Sequence, residues 1–188
     1  VKVNKNGERF VDEAVWTNSD FGWMLSYAVD KQPGKISYAI MDEKTYRDMV
    51  AKKECLSFFE ELVFAGEPYP GAWLDNLGKD IQNEVAGGRA KVAMTLDEVA
   101  VWIGAEPEVL KSTIDTYNTS CKNMYDAEFL KDPRFLMPIS TPPYYVFAGP
   151  CGVDSFIGGI SINHRMEVLN KEQRPIKGLY AAGVATSG

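Results

Sequence analysis

The sequence predicts an α+β fold. Apolar residues recur at helical spacing in several segments of the first two thirds of the chain, whereas the part from Tyr144 onward consists of short β-rich runs separated by glycine turns. Of the 188 residues, 45% are hydrophobic and 24% are charged, which is the composition of an ordinary soluble globular protein. A chain of this length is large enough for one core or for a core with an appendage.

The first ninety or so residues predict an alternation of short strands and helices. Asn6-Gly7 lies between two short runs and predicts an opening β-hairpin from residues 1–4 and 8–11. Pro33-Gly34 interrupts the chain, and Asp42 is placed to cap the helix that follows it. In order, we predict a helix over Ser19–Ala28, a strand over Ile36–Met41, a helix from Glu43, a buried helix over Cys55–Phe64, a loop over Gly66–Gly71 and a strand over Ala90–Met94.

The sequence pattern of residues 95–121 predicts two helices joined by a short turn, a helical hairpin. Thr95 and Glu98 have the spacing of a capping box, Gly104 ends the first helix, and Pro107 begins the second. The predicted buried stripes are Leu96, Val99, Ala100 and Ile103 on the first helix, and Val109, Leu110, Ile114, Tyr117 and Cys121 on the second. The proline-rich stretch 126–143 then predicts an extended connection. We place a domain boundary at its end, which divides residues 1–143 from residues 144–188.

The glycines of the last segment have two possible roles. Strands are predicted over Tyr144–Ala148, Ile160–Ile162 and Leu179–Gly183, with a polar turn at Asn170–Arg174. Because glycine has no side chain, Gly158-Gly159 and Gly183 would let a large planar or phosphorylated ligand approach the main-chain N–H groups. The same residues are equally compatible with tight turns that bind nothing.

Charge and cysteine content exclude several classes of function. The net charge of −6 disfavours a nucleic-acid or anionic-membrane surface, and no apolar run approaches the roughly 18 residues of a membrane span. We therefore expect no nucleic-acid partner, no membrane span, and a soluble protein of the cytoplasm or periplasm. Cys55, Cys121 and Cys151 are widely spaced, which predicts buried free thiols rather than a metal site or disulfides. The single histidine, His164, is predicted to lie on an exposed hairpin without a catalytic role.

Three stretches of the sequence carry a resemblance to a known family. They are Val3–Glu13, the segment from Thr95 through Pro107 to Asn118, and the C-terminal part with Tyr144-Tyr145, Gly158-Gly159 and Pro175-Ile-Lys-Gly-Leu-Tyr-Ala-Ala-Gly183. In this order they resemble the flavoproteins of the fumarate reductase and succinate dehydrogenase family. The resemblance spans nearly the whole chain. The chain starts at Val1 and stops within a motif at Gly188, so we expect it to be a portion of a longer protein.

The resemblance implies FAD as the cofactor and assigns the parts of the chain. Residues 1–143 resemble the substrate cap domain, and residues 144–188 resemble part of the return segment of the FAD-binding domain. By the same resemblance, Gly158, Gly159, Ala182 and Gly183 would contact the cofactor. The dinucleotide-binding Rossmann unit has a glycine-rich G-x-G-x-x-G turn, which this sequence lacks. We therefore expect that half upstream in the same chain, and we expect this fragment alone to bind FAD poorly or not at all.

Two departures from the family pattern bear on the substrate. Thr17 stands where the fumarate-reducing members have a proton-donating arginine, and a hydroxyl supplies neither its fixed charge nor its forked donors. Asp154-Ser155 stands where those members have paired histidines, and Phe156 replaces a threonine. A carboxylate at this position would repel a substrate carboxylate and favour an amine, a hydroxyl or a neutral ligand. Alternatively, Asp154 only caps a turn and Ser155 faces solvent.

These features predict an FAD-dependent oxidoreductase that transfers a hydride between the flavin and a carbon–carbon bond of an organic substrate other than fumarate. An electron-donor protein is a possible partner. The candidate catalytic residues are Ser155, Asp154 and Thr17, and the candidate pocket residues are Trp16, Tyr144, Tyr145 and Phe156. The tyrosine hydroxyls are candidate proton donors to an enone or steroid-like substrate. Alternatively, Trp16 packs in the core, where tryptophan at helical spacing is more often found. The alternatives are a ketosteroid dehydrogenase-like enzyme and a binding module that has lost catalysis.

Overall fold

A computed structural model describes residues 1–14, 22–52, 63–64, 67–68, 75–151 and 159–186. The strands are β1 (Lys2–Val3), β2 (Ile36–Asp42), β3 (Val63–Phe64), β4 (Glu67–Pro68), β5 (Ala90–Ala93), β6 (Tyr144–Pro150), β7 (Glu167–Leu169) and β8 (Pro175–Tyr180). The helices are α1 (Gly22–Asp30), α2 (Glu43–Lys52), α3 (Leu77–Ala86), α4 (Leu96–Ile103) and α5 (Pro107–Asn123). Helices and strands are thus mixed, and the chain forms two compact units, Val1–Cys151 and Gly152–Gly188.

The first unit is organised around a four-stranded sheet in the order β1-β2-β6-β5. All of its strand pairs are antiparallel, and β6 lies between β2 and β5, with Tyr144 opposite both Asp42 and Ala93. Hydrogen bonds on both sides therefore tie β6 to the first unit. The compact units accordingly divide after Cys151. The 143/144 boundary between the cap and the FAD-binding domain stays a prediction.

Both faces of this sheet are covered, as the alternation of side chains along a strand requires. Tyr144 and Val146 of β6 belong to the main core, which they form with residues of β1, β2, α4 and α5. Tyr145 and Phe147 point to the opposite face, where they pack with Leu77 of α3 in a smaller cluster. The fully buried members of the main core include Val3, Ile40, Val99, Ile103, Leu110, Ile114, Tyr117 and Val146.

Local signals predicted the α4–α5 hairpin correctly. The Thr95 hydroxyl accepts a hydrogen bond from the Glu98 N–H at 3.2 Å, and the Glu98 carboxylate accepts one from the Met94 N–H at 2.8 Å. Gly104 ends α4 in a left-handed conformation that favours glycine, with φ of 81°. The prediction of Val109 as a buried residue is wrong, because it is 37% exposed on the outer face of α5.

Other predicted elements differ from the structure. A tight turn does form around Asn6-Gly7, but residues 8–11 form no strand, because β1 pairs instead with β2 and Arg9 enters a buried ion cluster. The predicted helix Cys55–Phe64 lies mostly outside the described residues, and its last two residues form β3, paired with β4. The first three residues of the predicted helix Ser19–Ala28 also lie outside them, and α1 runs from Gly22 to Asp30. Asp42 caps α2 as predicted, since its Oδ1 accepts from the Thr45 N–H at 2.9 Å.

The second unit consists of the β7–β8 pair and its connections. Asn170 and Arg174 close the predicted polar turn, and Ile162 forms a single bridge to Val168 where a strand was expected. The last strand runs over Pro175–Tyr180 rather than Leu179–Gly183, because the turn sets Pro175 opposite Leu169 and Tyr180 opposite Glu167. Among residues 159–183, 185 and 186, whose exposure the structure describes, Val168 alone is buried, and all of β8 is exposed.

Candidate functional site

The structure describes some of the candidate site residues and not others. Tyr144 and Tyr145 lie on β6, and Gly159, Ala182 and Gly183 lie in the second unit. The remaining candidates lie outside the described residues; they are Trp16, Thr17, Asp154, Ser155, Phe156 and Gly158.

The two tyrosines do not lie on the same side of the sheet. The Tyr144 ring is buried in the main core. The Tyr145 ring stacks on Tyr46 at 4.9 Å between centroids, and its hydroxyl donates a hydrogen bond to Glu43 Oε2 at 2.6 Å. Neighbouring residues of a strand point to opposite faces, so the two hydroxyls cannot act on one substrate atom together.

The surroundings of the two tyrosines also change the acidity of their hydroxyl groups. Burial raises the pKa of Tyr144, with a smaller effect from Asp42. Burial likewise raises the pKa of Tyr145, and the hydrogen bond to Glu43 adds to it. A phenol whose pKa is raised is a weaker acid, and the Tyr145 proton is already held by a carboxylate. In this geometry Tyr145 is a structural hydrogen-bond donor, which removes one reason for treating it as the proton donor.

The structure brings the described glycine candidates together. The N–H of Ile160, next to Gly159, donates to the Ala185 carbonyl at 2.9 Å, so Gly159 lies beside the turn that begins at Gly183. Gly159, Ala182 and Gly183 are all exposed. Gly183 has φ of 72°, and a Cβ atom added there would meet nothing within 4 Å. This main-chain surface is therefore open to a flat ligand, and it fits the FAD contact that the resemblance implies.

A buried ion cluster was not predicted as such from the sequence. Arg9 forms a bidentate pair with Asp126, at 3.1 and 2.8 Å, and their side chains are 1% and 0% exposed. Arg9 also donates to both oxygens of Glu13, and the Lys131 ammonium lies 3.2 Å from Glu13 Oε2. The guanidinium stacks over the rings of Tyr117 and Phe129. We call Arg9, Glu13, Asp126 and Lys131 the Arg9 cluster.

The Arg9 cluster is electrostatically matched. Burial alone would raise the pKa of Glu13, but the charge of Lys131, and the charge and hydrogen bonds of Arg9, lower it to about 2. Burial also opposes ionisation of Asp126, yet its hydrogen bonds with Arg9 lower the pKa of that carboxyl. Both carboxylates are therefore charged at neutral pH, and each stabilises the buried cations beside it.

Acid is expected to destabilise the first unit through Glu13. Its pKa is 4.5 ordinarily and about 2 in the fold. The stabilisation is therefore complete above the unfolded pKa of 4.5 and disappears as the pH falls toward 2. This difference in the pKa of Glu13 corresponds to about 3 kcal/mol in the free energy of unfolding. Urea unfolding of the chain at several pH values between 7 and 2.5 measures this slope. The variant Glu13→Gln should flatten it, whereas Glu172→Gln, at an exposed turn, should not. An equal slope in Glu13→Gln and the unsubstituted chain would contradict the assignment.

Other candidate chemistries find no support in the described part of the chain. His164 is exposed, as predicted. Within the described ranges, no group of histidine, cysteine and acidic side chains is arranged to hold a metal ion. Among the helices described, none has both the length and the apolar character needed to cross a membrane. Cys121 is a buried thiol, the Cys151 thiol is half-buried and donates to the Ser26 carbonyl at 3.5 Å, and Cys55 lies outside the described residues.

Comparison with known proteins places the chain in a family. The family described as FAD binding domain matches residues 1–188. A vinyl phenol reductase of Lactiplantibacillus plantarum is 29% identical over 99% of this chain and 36% of its own length. An NADH:acrylate oxidoreductase of Vibrio harveyi is 30% identical over 100% of this chain and 16% of its own length. The chain therefore spans 36% of the length of the first of these relatives and 16% of the length of the second.

The fold agrees with this relationship. A flavocytochrome c3 fumarate reductase, solved in an open conformation, superposes over 100% of this chain and 27% of its own chain. The TM-score is 0.63 and the sequence identity is 26%. The resemblance first seen in Val3–Glu13 and Pro175–Gly183 is thereby confirmed over the whole sequence. The chain belongs to the FAD binding domain family, together with the fumarate reductase flavoproteins.

Proposed function

We propose that these residues are part of an FAD-dependent oxidoreductase that reduces the C=C bond of a neutral organic acceptor rather than fumarate. The observation that carries the proposal is Asp154-Ser155, which by the resemblance stands where fumarate-reducing members have paired histidines. Two like charges brought together at a binding site cost several kcal/mol, so a dicarboxylate is disfavoured beside Asp154. A hydroxyl-bearing acceptor such as a vinyl phenol would instead donate a hydrogen bond to that carboxylate.

The two compact units receive different roles in this proposal. Residues 1–151 act as the substrate cap, and residues 152–188 are part of the return to the FAD-binding domain. The boundary follows the compact units instead of the proline-rich stretch. Support for the second role comes from the open main chain at Gly159 and Gly183 and from the exposed apolar side chains of β8, which are Ile176, Leu179 and Tyr180. An upstream Rossmann half of the same chain would cover such a surface and supply the pyrophosphate site.

The chain's own residues would then bind and orient the acceptor. Bound FAD supplies the hydride chemistry. Main-chain N–H groups near Gly158, Gly159, Ala182 and Gly183 would hold the cofactor. Asp154 would accept a hydrogen bond from the polar end of the acceptor, and Ser155 would donate or accept one. Phe156 and Trp16 would form the apolar walls of the site. Thr17 would orient the acceptor without supplying charge, so another group, such as a neutral hydroxyl or water, would supply the proton that accompanies the hydride.

The test uses the full-length flavoprotein. After anaerobic reduction, the rate of flavin reoxidation is measured with 4-vinylphenol, an enone, acrylate and fumarate. We expect a neutral acceptor to react at least about 100-fold faster than fumarate, the ratio that a difference of about 3 kcal/mol produces. A rate with fumarate as high as with the neutral acceptors would refute the proposed substrate class. A flavin that reacts only with oxygen would favour the module without catalysis.

Substitution of Asp154 tests the residue itself. The variant Asp154→His removes the carboxylate and introduces an imidazole that can bind a substrate carboxylate. We expect the preference for the neutral acceptor over fumarate to fall by about tenfold, equivalent to about 1.4 kcal/mol. Glu172→Gln is the matched control, because it removes one negative charge from an exposed turn of the same unit. An unchanged preference in Asp154→His would mean that Asp154 only caps a turn.

A further inference from the structure

The outer edge of β5 is open in the part of the chain that the structure describes. Antiparallel strands alternate between hydrogen-bonded and non-hydrogen-bonded residue pairs. The Ala148 N–H donates to the Arg89 carbonyl at 2.8 Å, so Arg89 and the alternate residue Lys91 direct their main-chain groups toward β6. The N–H and C=O groups of Ala90 and Val92 therefore point away from β6, and no described residue forms a hydrogen bond with them. An edge of this kind is a template for pairing with another strand.

Exposed apolar side chains flank this edge on both faces of the sheet. Val92 lies opposite Tyr145 of β6 and shares the face that α3 covers. On this face the side chains of Val92 and of Val85 in α3 are both exposed. On the opposite face, Val101 of α4 is 76% exposed and lines a groove of about 360 Å³ together with Lys91. Apolar surface of this kind, rimmed by polar groups, is typical of a site of association with another protein.

We propose that the outer edge of β5 pairs with the same edge of a second copy of the chain. A single added strand would leave Val85 and Val101 uncovered, because these residues belong to the helices on the two faces of the sheet. Two copies related by a two-fold axis at β5 would instead join their four-stranded sheets into one and bring α3 beside α3 and α4 beside α4. The exposed valines on both faces would then be covered by the same residues of the partner.

The charges near the edge favour one register for this pairing. A register that sets Lys91 opposite Lys91 of the partner would place like charges directly across the interface, which is destabilising. A register centred on Val92 makes a hydrogen-bonded pair of the two Val92 residues and sets Lys91 opposite Ala93 of the partner. Lys91 then lies beside the end of the partner's β5, which leads into the exposed acidic residues Asp97 and Glu98. The surface is therefore complementary in charge to a copy of itself.

The mass of the full-length flavoprotein in solution tests the interface. We expect sedimentation equilibrium at micromolar concentration to give the mass of two chains. Val101→Lys puts two like charges at the contact between the α4 helices and should weaken the dimer at least about 100-fold. Val109→Lys is the matched control, because Val109 is exposed on the outer face of α5, and it should leave the mass unchanged. The mass of a single chain for the unsubstituted flavoprotein, or equal effects of the two substitutions, would overturn the proposal.

A cysteine cross-link tests the register. The Cα atoms of a hydrogen-bonded antiparallel pair are about 5.5 Å apart, a distance that a disulfide can span. With oxidised glutathione as the oxidant, Val92→Cys should therefore give a disulfide-linked dimer of the flavoprotein. Val50→Cys on α2 is the control, because Val50 and Val92 are both 39% exposed, and it should cross-link no more than the unsubstituted protein does. Equal cross-linking of the two cysteine variants would contradict pairing at Val92.

Hydrogen exchange distinguishes a second copy from another segment of the same chain as the occupant of the edge. None of the residues in the interface is assigned to the acceptor or to the cofactor, so this readout is independent of the proposed function. The amides of Ala90 and Val92 should exchange at least about tenfold faster in Val101→Lys than in the unsubstituted dimer, whereas that of Val146 should not change. Amides of Ala90 and Val92 that stay protected in a monomeric Val101→Lys would show that the chain covers its own edge, and would overturn the proposal.

Discussion

Asp126→Ala is expected to lower the free energy of unfolding by about 4 kcal/mol, within the range for breaking a buried ion pair. The Asp126 carboxylate is fully buried and binds Arg9 through both oxygens. It also accepts from the main-chain N–H groups of Glu128 and Phe129. The alanine variant leaves a guanidinium in the core that has lost its bidentate partner and part of its charge compensation, and this loss costs more than the pair itself contributes. Equilibrium urea unfolding of the Val1–Gly188 chain, followed by circular dichroism, measures the change.

The control for Asp126 is a carboxylate of the same type on the surface. Asp132 pairs with Arg134 at 2.9 Å, but the two side chains are 41% and 74% exposed. Exposed pairs of this kind contribute less than about 1 kcal/mol, so Asp132→Ala should shift the urea midpoint only slightly. Similar midpoints for Asp126→Ala and Asp132→Ala would show that Arg9 finds water or another partner when Asp126 is absent.

Asp42→Ala is expected to cost about 3 kcal/mol. Its Oδ1 accepts from the Thr45 N–H, and its Oδ2 accepts from the N–H groups of Ser140 and Thr141 at 3.1 and 3.0 Å. A buried donor left without a partner costs about 1 to 3 kcal/mol, and alanine leaves several of them. The residue thus joins the start of α2 to the connection before β6. Thermal and urea unfolding of the variant chain measure the loss.

Two further substitutions make the Asp42 prediction specific. Asp42→Asn keeps the size and one acceptor oxygen, so it should recover part of the loss but not all of it, because the amide nitrogen would face an N–H donor. Lys44→Ala removes an exposed ion pair with Asp48 on the same helix and should cost less than about 1 kcal/mol. Equal free energies of unfolding for Asp42→Ala and Lys44→Ala would contradict a stabilising role of the three hydrogen bonds that Asp42 accepts.

Short-range signals predicted the parts of the fold that depend on neighbouring residues. The Thr95–Glu98 capping box, the Gly104 stop and the Asp42 cap each need partners within a few positions, and each forms. The Asn6-Gly7 hairpin fails for the opposite reason. Its outgoing arm carries Arg9, whose partner Asp126 lies 117 positions away, and that tertiary pairing outweighs the local preference for a second strand.

In the candidate site, too, the local sequence predicted some features, whereas others depend on tertiary contacts. The sequence predicted a close main-chain approach at Gly159 and at Gly183. Only the structure shows that the hydrogen bond from Ile160 to Ala185 brings the two together. Conversely, Tyr144 and Tyr145 are adjacent in sequence and were grouped as proton donors, whereas the pleat of β6 separates their side chains. Nothing in the local sequence distinguishes the buried charges of the Arg9 cluster from solvated ones, since the distinction arises from packing across the unit.

The position of β6 also determines when the sheet can form. Its two neighbours, β2 and β5, both precede it in the chain and pair only with β6 on the sides that face it. During synthesis these strands emerge first and expose unpaired N–H and C=O groups along those edges, which are templates for association with other chains. The sheet can close only after β6 has been synthesised, so its formation depends on non-local contacts of the kind associated with slow folding. A chain truncated near residue 143 would keep these strand edges unpaired, and we expect it to aggregate more readily than the Val1–Gly188 chain.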